Sequence, residues 1–233
     1  MIKTLDLPEC EETFCIKPLS GEQFLNLFIP DMPKAEKEKL GRQMDETAAD
    51  RHKCTLKEAD FRSILNKIGR PGTERMLKEL KKLGFFEAPA SVEHHSAWKG
   101  GLLDHSLKVY ECAMALRDEM IAGDPALESR LDPDSVAVAA LLHDVCKADE
   151  YCIDGDGNPE YAEPLFHIGG HGDKSVICLL MWGYELKPDE MVAIRWHMGE
   201  GRLKSKREIA QCRKAKSSPL CRLIIQADYK ATH

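Results

Sequence analysis

The sequence predicts an all-α fold, and three observations lead to this prediction. Apolar residues recur at helical intervals along most of the 233-residue chain. Residues that start and stop helices flank many of these apolar stripes. Signals for β-strands are confined to one short stretch, YCIDGDGNPEYAE, whose turn residues predict a hairpin. We therefore expect a bundle of helices with one small hairpin.

The first ninety residues predict a helical region of their own. Two capping-box spacings mark helix starts in it, at Ser20 and at Thr55. Further along, GRPGTERMLKELKKLG predicts a helix that begins at Thr73 and stops at Gly84. We assign residues 1–90 to this N-terminal helical region.

Residues 91–233 predict a second region, which carries the remaining helices. Pro188 and Pro219 fit the first turns of two of them, because a proline at that position removes no helical hydrogen bond. The apolar stripes predict helices over roughly 102–121, 134–147, 172–183, 188–198 and 219–230.

Composition excludes several classes of protein. Hydrophobic residues make up 43% of the chain, which is enough for a folded core. The longest apolar run, from Val136 to Leu142, is too short to cross a bilayer, and MIKTLDLPECEETF lacks the apolar run of a signal peptide. The nine cysteines are odd in number and follow no paired spacing. We therefore expect free thiols and a cytoplasmic protein without membrane contact.

Charge is distributed unevenly along the chain. The net charge of -6 argues against nonspecific binding of nucleic acid over the whole surface. Residues 202–222, however, contain eight Lys or Arg residues and a single acidic residue, Glu208. This basic stretch is either a phosphate-binding element or a solvated loop, and the sequence leaves both interpretations open.

Side chains that can bind metals interrupt three apolar helices. His105 lies among leucines in the helix predicted over 102–121, and the run VAVAALLHDVCK contains His143 and Asp144 near its end. Asp228 follows the apolar run LCRLIIQA. Each of these residues alone could be a satisfied structural residue, but a buried carboxylate needs a cation or several donors. Helical bundles build metal sites in this way, and imidazole with carboxylate suits Mn, Fe, Co, Zn or Mg.

These residues, in this order, resemble those of the HD domain superfamily of metal-dependent phosphohydrolases. The stretch HHSAWKGGLLDHSLKVY is similar to the HHxxxGGLLxHS/T pattern of its bacterial branch, and AALLHDVCKADEY resembles LLHDxGKxxEY. The resemblance covers roughly residues 92 to 230, and it implies an HD-domain-like helical bundle around a metal centre. One position departs from the pattern, because Cys146 stands where the family has a glycine that permits a tight helix exit.

The resemblance implies one or two divalent metal ions as the cofactor. It also implies which side chains bind them. For a first ion the implied ligands are His105, His143, Asp144 and Asp228, and for a second ion they include His171 and His197.

The same resemblance implies catalytic roles. A divalent ion lowers the pKa of water and neutralises charge at phosphorus. Asp144 and Lys147 would be the catalytic residues, with Asp144 or the nearby Asp104 taking the proton of the water. Lys147, Arg195 and Arg202 would hold the phosphates of the substrate, a task that suits the bidentate geometry of arginine.

We expect an enzyme that cleaves a phosphate ester of a nucleotide or related small molecule. Two alternatives stay open: a phosphodiesterase acting on RNA, single-stranded DNA or a cyclic nucleotide, and a nucleotide-sensing module with little turnover. The sequence contains no signal for the β-barrel that commonly grips a single strand, which favours the small-molecule substrate. The substrate itself, the physiological metal, the oligomeric state and the role of residues 1–90 do not follow from the sequence.

Overall fold

The computed structural model describes residues 20–28, 32–94, 96–201 and 203–232. The chain forms two compact units, Met1–Lys53 and Cys54–His233. The predicted boundary between an N-terminal region, residues 1–90, and a second region, residues 91–233, stays a prediction. Among the described residues, no helix has both the length and the apolar character needed to cross a membrane.

The all-α prediction is confirmed. The helices of the described residues are α1 Gly21–Phe28, α2 Lys34–Ile68, α3 Thr73–Lys82, α4 Gly101–Gly123, α5 Pro133–Leu142, α6 His171–Met181, α7 Pro188–Trp196, α8 Lys206–Ala215 and α9 Pro219–Thr232. Two 3₁₀ helices, Pro125–Arg130 and Val145–Asp149, flank α5. The strands are β1 Tyr151–Ile153 and β2 Pro159–Tyr161.

The two predicted capping boxes have different outcomes. At Ser20 the box forms, since the Ser20 amide donates to Gln23 Oε1 at 2.9 Å and the Gln23 amide donates to Ser20 Oγ at 3.2 Å. At Thr55 the predicted helix start is wrong, because α2 runs unbroken from Lys34 to Ile68. The residues before Thr55 are mostly good helix formers, and they carry the helix through that position.

A buried ion pair between Arg70 and Glu190 joins the segment before α3 to α7. Arg70 donates two hydrogen bonds to the fully buried carboxylate of Glu190, at 2.8 and 2.6 Å. Beside this pair, Gly72 has φ of 87°, and a Cβ on it would lie 2.1 Å from the carbonyl oxygen of Gly183. Only glycine fits both the backbone conformation and the close approach. The predicted helix stop at Gly84 is confirmed, with φ of 79° just after α3.

The core of the second unit surrounds α5. Helix α4 packs against α5 and α9, and α7 packs against α5, α6 and α9. From Ser135 to Leu142 every residue of α5 is buried. The C-terminus of α5 therefore ends inside the protein, where α4, α7 and α9 surround it.

The predicted hairpin is confirmed, and the basic stretch contains a helix. Strands β1 and β2 are antiparallel, with Tyr151 opposite Tyr161. Helix α8 occupies the middle of the basic stretch, so this stretch is not simply a solvated loop. Only Cys212 of α8 is buried, so this helix has almost no apolar stripe by which to predict it.

Candidate metal centre

Four helices bring histidine and aspartate side chains together at the end of α5. His105 lies in the second turn of α4, and His143 and Asp144 directly follow α5. His197 directly follows α7, and Asp228 lies on α9. His105, His143, Asp144 and His197 are almost completely buried, because α4, α7 and α9 pack around the end of α5.

The ligand atoms of the first predicted set converge. His105 Nε2 lies 3.0 Å from His143 Nε2 and 3.3 Å from Asp228 Oδ1. His143 Nε2 lies 3.3 Å from Asp144 Oδ2 and 3.9 Å from Asp228 Oδ1. Two groups of three therefore lie close enough to hold a metal ion, with ligand atoms within 4.8 Å of one another: His105 with His143 and Asp228, and His143 with Asp144 and His197.

Backbone carbonyls fix which nitrogen of two of these imidazoles is protonated. His143 Nδ1 lies 2.8 Å from the carbonyl oxygen of Ala140, and His197 Nδ1 lies 2.8 Å from that of Ile194. A carbonyl oxygen only accepts hydrogen bonds, so in the neutral imidazoles Nδ1 carries the proton and Nε2 carries a lone pair. Each Nε2 lies 3.3 Å from an oxygen of Asp144, so the two atoms of each pair can share a proton or a divalent cation.

The carboxylates of the centre are held in their charged form. Burial by itself would raise the pKa of Asp144, but the positive charge of Lys147 outweighs it and holds the pKa well below the ordinary value. Burial likewise opposes ionisation of Asp228, but the hydrogen bond with His105 lowers its pKa to about 2. Burial also lowers the pKa of His105, which favours the neutral, metal-binding imidazole. Among the described residues, Asp144 Oδ1 is buried without a hydrogen-bond partner. This donor set fits a divalent cation.

Lys147 lies directly at the centre. Its Nζ is 2.7 Å from Asp144 Oδ2, and its side chain is buried. Burial by itself would lower the pKa of Lys147, but the carboxylate of Asp144 raises it, so the ammonium stays charged. A cysteine fits at position 146, where the family has glycine, because the backbone φ there is not positive. The Cys146 amide donates a hydrogen bond to Ser175 Oγ at 3.3 Å.

The structure separates the two histidines of the predicted second site. His197 Nε2 lies 3.3 Å from Asp144 Oδ1 and belongs to the metal centre. His171 begins α6 and instead joins Cys146 and Glu150 in a neighbouring group, with its Nδ1 3.0 Å from Glu150 Oε2. Glu150 lies in the motif AALLHDVCKADEY, but its spacing in the sequence alone does not indicate a ligand role.

Of the two arginines predicted to bind phosphate, the structure describes Arg195. Arg195 pairs with Asp173 of α6 and stacks on the ring of Trp196, with its Cζ 4.1 Å from the ring centroid. Arg202 lies outside the described residues. Asp104, the alternative proton acceptor, pairs with Lys57, with Lys57 Nζ 2.5 Å from Asp104 Oδ1.

Comparisons with known proteins identify a family and one relative. A family model described as HD domain matches residues 102–232, which is more than half of the chain. Over 82 residues the chain is 32% identical to the dihydroneopterin 2',3'-cyclic phosphate phosphodiesterase of Methanocaldococcus jannaschii. That alignment covers 35% of this chain and 31% of the relative, so it spans about a third of either protein. No solved structure matches the chain.

Proposed function

The chain belongs to the HD domain family, and we propose that it is a metal-dependent phosphohydrolase acting on a nucleotide or related small molecule. One observation carries this proposal. The Nε2 atoms of His105 and His143 and the carboxylates of Asp144 and Asp228 face one another within 3.9 Å in the buried end of the bundle. Two carboxylates and two imidazoles gathered at one buried point are a donor set that favours a bound cation.

Four side chains would hold the cation: His105, His143, Asp144 and Asp228. Their nitrogen and oxygen donors suit Mn, Fe, Co, Zn or Mg. A divalent cation in this position supplies two kinds of chemistry, because it lowers the pKa of water and polarises a phosphoryl oxygen. His197 offers a further nitrogen beside Asp144 Oδ1, so a second ion is part of the proposal, with His171 as a neighbouring ligand.

We assign Lys147 and Asp144 to the reaction itself. The Lys147 ammonium lies 2.7 Å from Asp144 and would stabilise negative charge that develops on the phosphoryl oxygens. The depressed pKa of Asp144 suits a carboxylate that accepts a hydrogen bond from the attacking water and orients it. Arg195 and Arg202 stay as proposed phosphate contacts, and Arg195 would have to leave Asp173 for that role.

A cyclic phosphodiester is the second candidate substrate class. The relative from Methanocaldococcus jannaschii is named for cleaving a 2',3'-cyclic phosphate, which favours a cyclic ester here as well. Hydrolysis of such an ester breaks one of two phosphorus–oxygen bonds and leaves a monoester. The alternatives of RNA, single-stranded DNA and a nucleotide-sensing module are outcomes of the test below.

The test is hydrolysis by the manganese-loaded full chain of three substrates in parallel. These are a nucleoside 2',3'-cyclic phosphate, the corresponding monophosphate and a short single-stranded RNA. We expect turnover of at least one small ester, loss of turnover on chelation, and loss in the His105→Ala variant. A protein that holds metal and binds the cyclic nucleotide without cleaving it would instead be a sensing module.

Two further assignments belong to this proposal. We keep residues 91–233 as the catalytic domain and residues 1–90 as an accompanying helical region. We also propose the cytoplasm as the compartment, since free thiols are carried by Cys112, Cys146, Cys152, Cys178, Cys212 and Cys221.

A further inference from the structure

A cavity opens at the β-hairpin, and one of its lining residues, His171, also belongs to the group of possible ligands next to the metal centre. The cavity has a volume of about 540 Å³ and lies between the β-hairpin, the segment 162–169 and the start of α6. Cavities of this size bind small organic ligands in many proteins. We call it the hairpin pocket and define it by Glu150, Tyr151, Tyr161, Phe166, Ile168 and Lys174.

The walls of the hairpin pocket are aromatic and apolar, and they are exposed to water. Tyr151 and Tyr161 pair across the hairpin with ring centroids 5.6 Å apart, and Tyr161 is 71% exposed. Ile168, at 40% exposed, lines the same cavity. Apolar side chains that gather around an exposed concave surface mark a binding site. Aromatic rings in particular favour a ligand that can stack on them.

The floor of the pocket is a closed network of charges. Lys174 is 1% exposed, and its Nζ lies 2.7 Å from Asp149 and 3.1 Å from Glu150. Glu150 also accepts from His171 Nδ1 at 3.0 Å, and Phe166 lies over the Lys174 ammonium at 5.2 Å. Because the Lys174 ammonium already faces two carboxylates, the floor offers no spare positive charge, and it favours a neutral polar ligand over an anionic one.

The same network holds the walls in place. The amide of Leu165 donates to Asp149 Oδ1 at 2.9 Å, which anchors the segment that carries Phe166. The amide of Ala162 donates to the carbonyl oxygen of Glu150 at 2.9 Å, which ties the end of the hairpin to the floor. The pocket is therefore formed before any ligand binds, which lowers the entropy cost of binding.

The inner end of the pocket adjoins the metal centre. Glu150 follows the 3₁₀ helix Val145–Asp149, which starts directly after Asp144. Cys146 Sγ donates to the carbonyl oxygen of His171 at 3.2 Å, so this segment touches the start of α6. His171 itself lines the pocket, and its Nδ1 lies 3.9 Å from the Sγ of Cys146, the residue before Lys147.

We propose that the hairpin pocket binds the planar heteroaromatic ring of the substrate, a ring of the purine or pterin type. This inference rests on the proposed phosphohydrolase function, with the phosphate ester at the metal centre and the ring stacked on Tyr161. A neutral ring with several hydrogen-bonding atoms matches both the aromatic walls and the internally paired floor. The β-hairpin is then the element that determines substrate specificity.

The test uses the full chain and two probes, guanosine 2',3'-cyclic phosphate and guanosine. We expect Tyr161→Ala to raise the KM for the cyclic nucleotide about tenfold, the loss typical of one stacking contact, with little change in kcat. Tyr161→Phe keeps the ring and should retain the wild-type KM. Met181→Ala is the matched control, because Met181 is 61% exposed on α6 and does not line the pocket.

Two further measurements test ring binding in the hairpin pocket independently of the proposed hydrolase activity. Hydrolysis of glycerol 1,2-cyclic phosphate, which has no aromatic ring, should be the same in wild type and Tyr161→Ala. Binding of guanosine to the metal-free protein, measured by equilibrium dialysis, should weaken about tenfold in Tyr161→Ala. Guanosine binding that depends on Tyr161 in a protein without hydrolytic activity would support the pocket and refute the hydrolase. Hydrolysis of the cyclic nucleotide with an unchanged KM in Tyr161→Ala would overturn the pocket.

Discussion

Replacing Lys147 with methionine tests whether the carboxylate of Asp144, its ion-pair partner, faces a bound metal ion. Lys147 Nζ lies 2.7 Å from Asp144 Oδ2, and at an effective dielectric constant of ~20 two unit charges at that distance attract by about 6 kcal/mol. Methionine keeps the length of the side chain but leaves the 2% exposed carboxylate of Asp144 without its nearest positive charge. Loss of one partner of a buried ion pair costs about 3–5 kcal/mol. We expect Lys147→Met to lower the free energy of unfolding by this amount when a chelator is present.

Manganese should reduce that loss. Lys147 and a cation compete for the same carboxylate, so removing the ammonium lets the cation bind more tightly. A tenfold gain in affinity would make the destabilisation about 1.4 kcal/mol smaller at saturating manganese. The assay is urea unfolding of wild type and variant, with EDTA and with manganese.

Lys174→Met is the matched control for this experiment. Lys174 is also buried and pairs with Asp149 at 2.7 Å, but neither residue belongs to the ligand groups of the metal centre. Its destabilisation should be the same in both buffers. If the destabilisation by Lys147→Met were also the same in both buffers, Asp144 would not face a bound cation, and the reasoning would be refuted.

Three further predictions concern the elements around the centre. Arg70→Ala leaves the buried carboxylate of Glu190 without its bidentate partner, and we expect urea unfolding to show a loss of about 3–5 kcal/mol. The double variant Arg70→Ala, Glu190→Ala should recover part of that loss. Gly172→Ala places a Cβ 2.4 Å from the carbonyl oxygen of Arg195, so α6 must move from α7, at a cost of about 1–3 kcal/mol in thermal unfolding. An unchanged melting temperature would show that the helices tolerate the methyl group. Burial by itself would raise the pKa of Glu150, but the hydrogen bond from His171 lowers it. The ionised Glu150 therefore stabilises the fold above its ordinary pKa of about 4.5, and this stabilisation is lost as the pH falls through the pKa of the folded state. The free energy of unfolding should therefore fall less between pH 5 and pH 3.5 in Glu150→Gln than in wild type, and equal slopes would contradict this pairing.

The helices that carry the centre could be predicted from the sequence because each has an apolar stripe or a cap. The run from Val136 to Leu142 is buried throughout, and this is why the two polar residues after it, His143 and Asp144, end in the core. A polar pair directly after such a run is a local signal of a buried site. The family resemblance rested on that signal, and the match over residues 102–232 confirms it.

Other features depend on contacts between distant segments. The separation of His171 from His197 follows from the direction in which α6 begins, which is set by its close packing on α7 at Gly172. The pairing of Arg195 with Asp173 likewise joins α7 to α6 and has no signal in either segment alone. Helix α8 has almost no apolar stripe, and α2 continues through a capping-box spacing at Thr55, so local rules fail at both.

The most direct test of the central claim is the metal content of the untagged protein, measured by elemental mass spectrometry after incubation with manganese. We expect about one or two equivalents per chain in the wild type and a large loss in Asp144→Ala, with helical content preserved by circular dichroism. Asp149→Ala is the matched control, since Asp149 is also a buried carboxylate beside a lysine but lies outside the ligand groups, and it should keep its metal. Equal metal content in Asp144→Ala and wild type, or none in either, would contradict the metal centre.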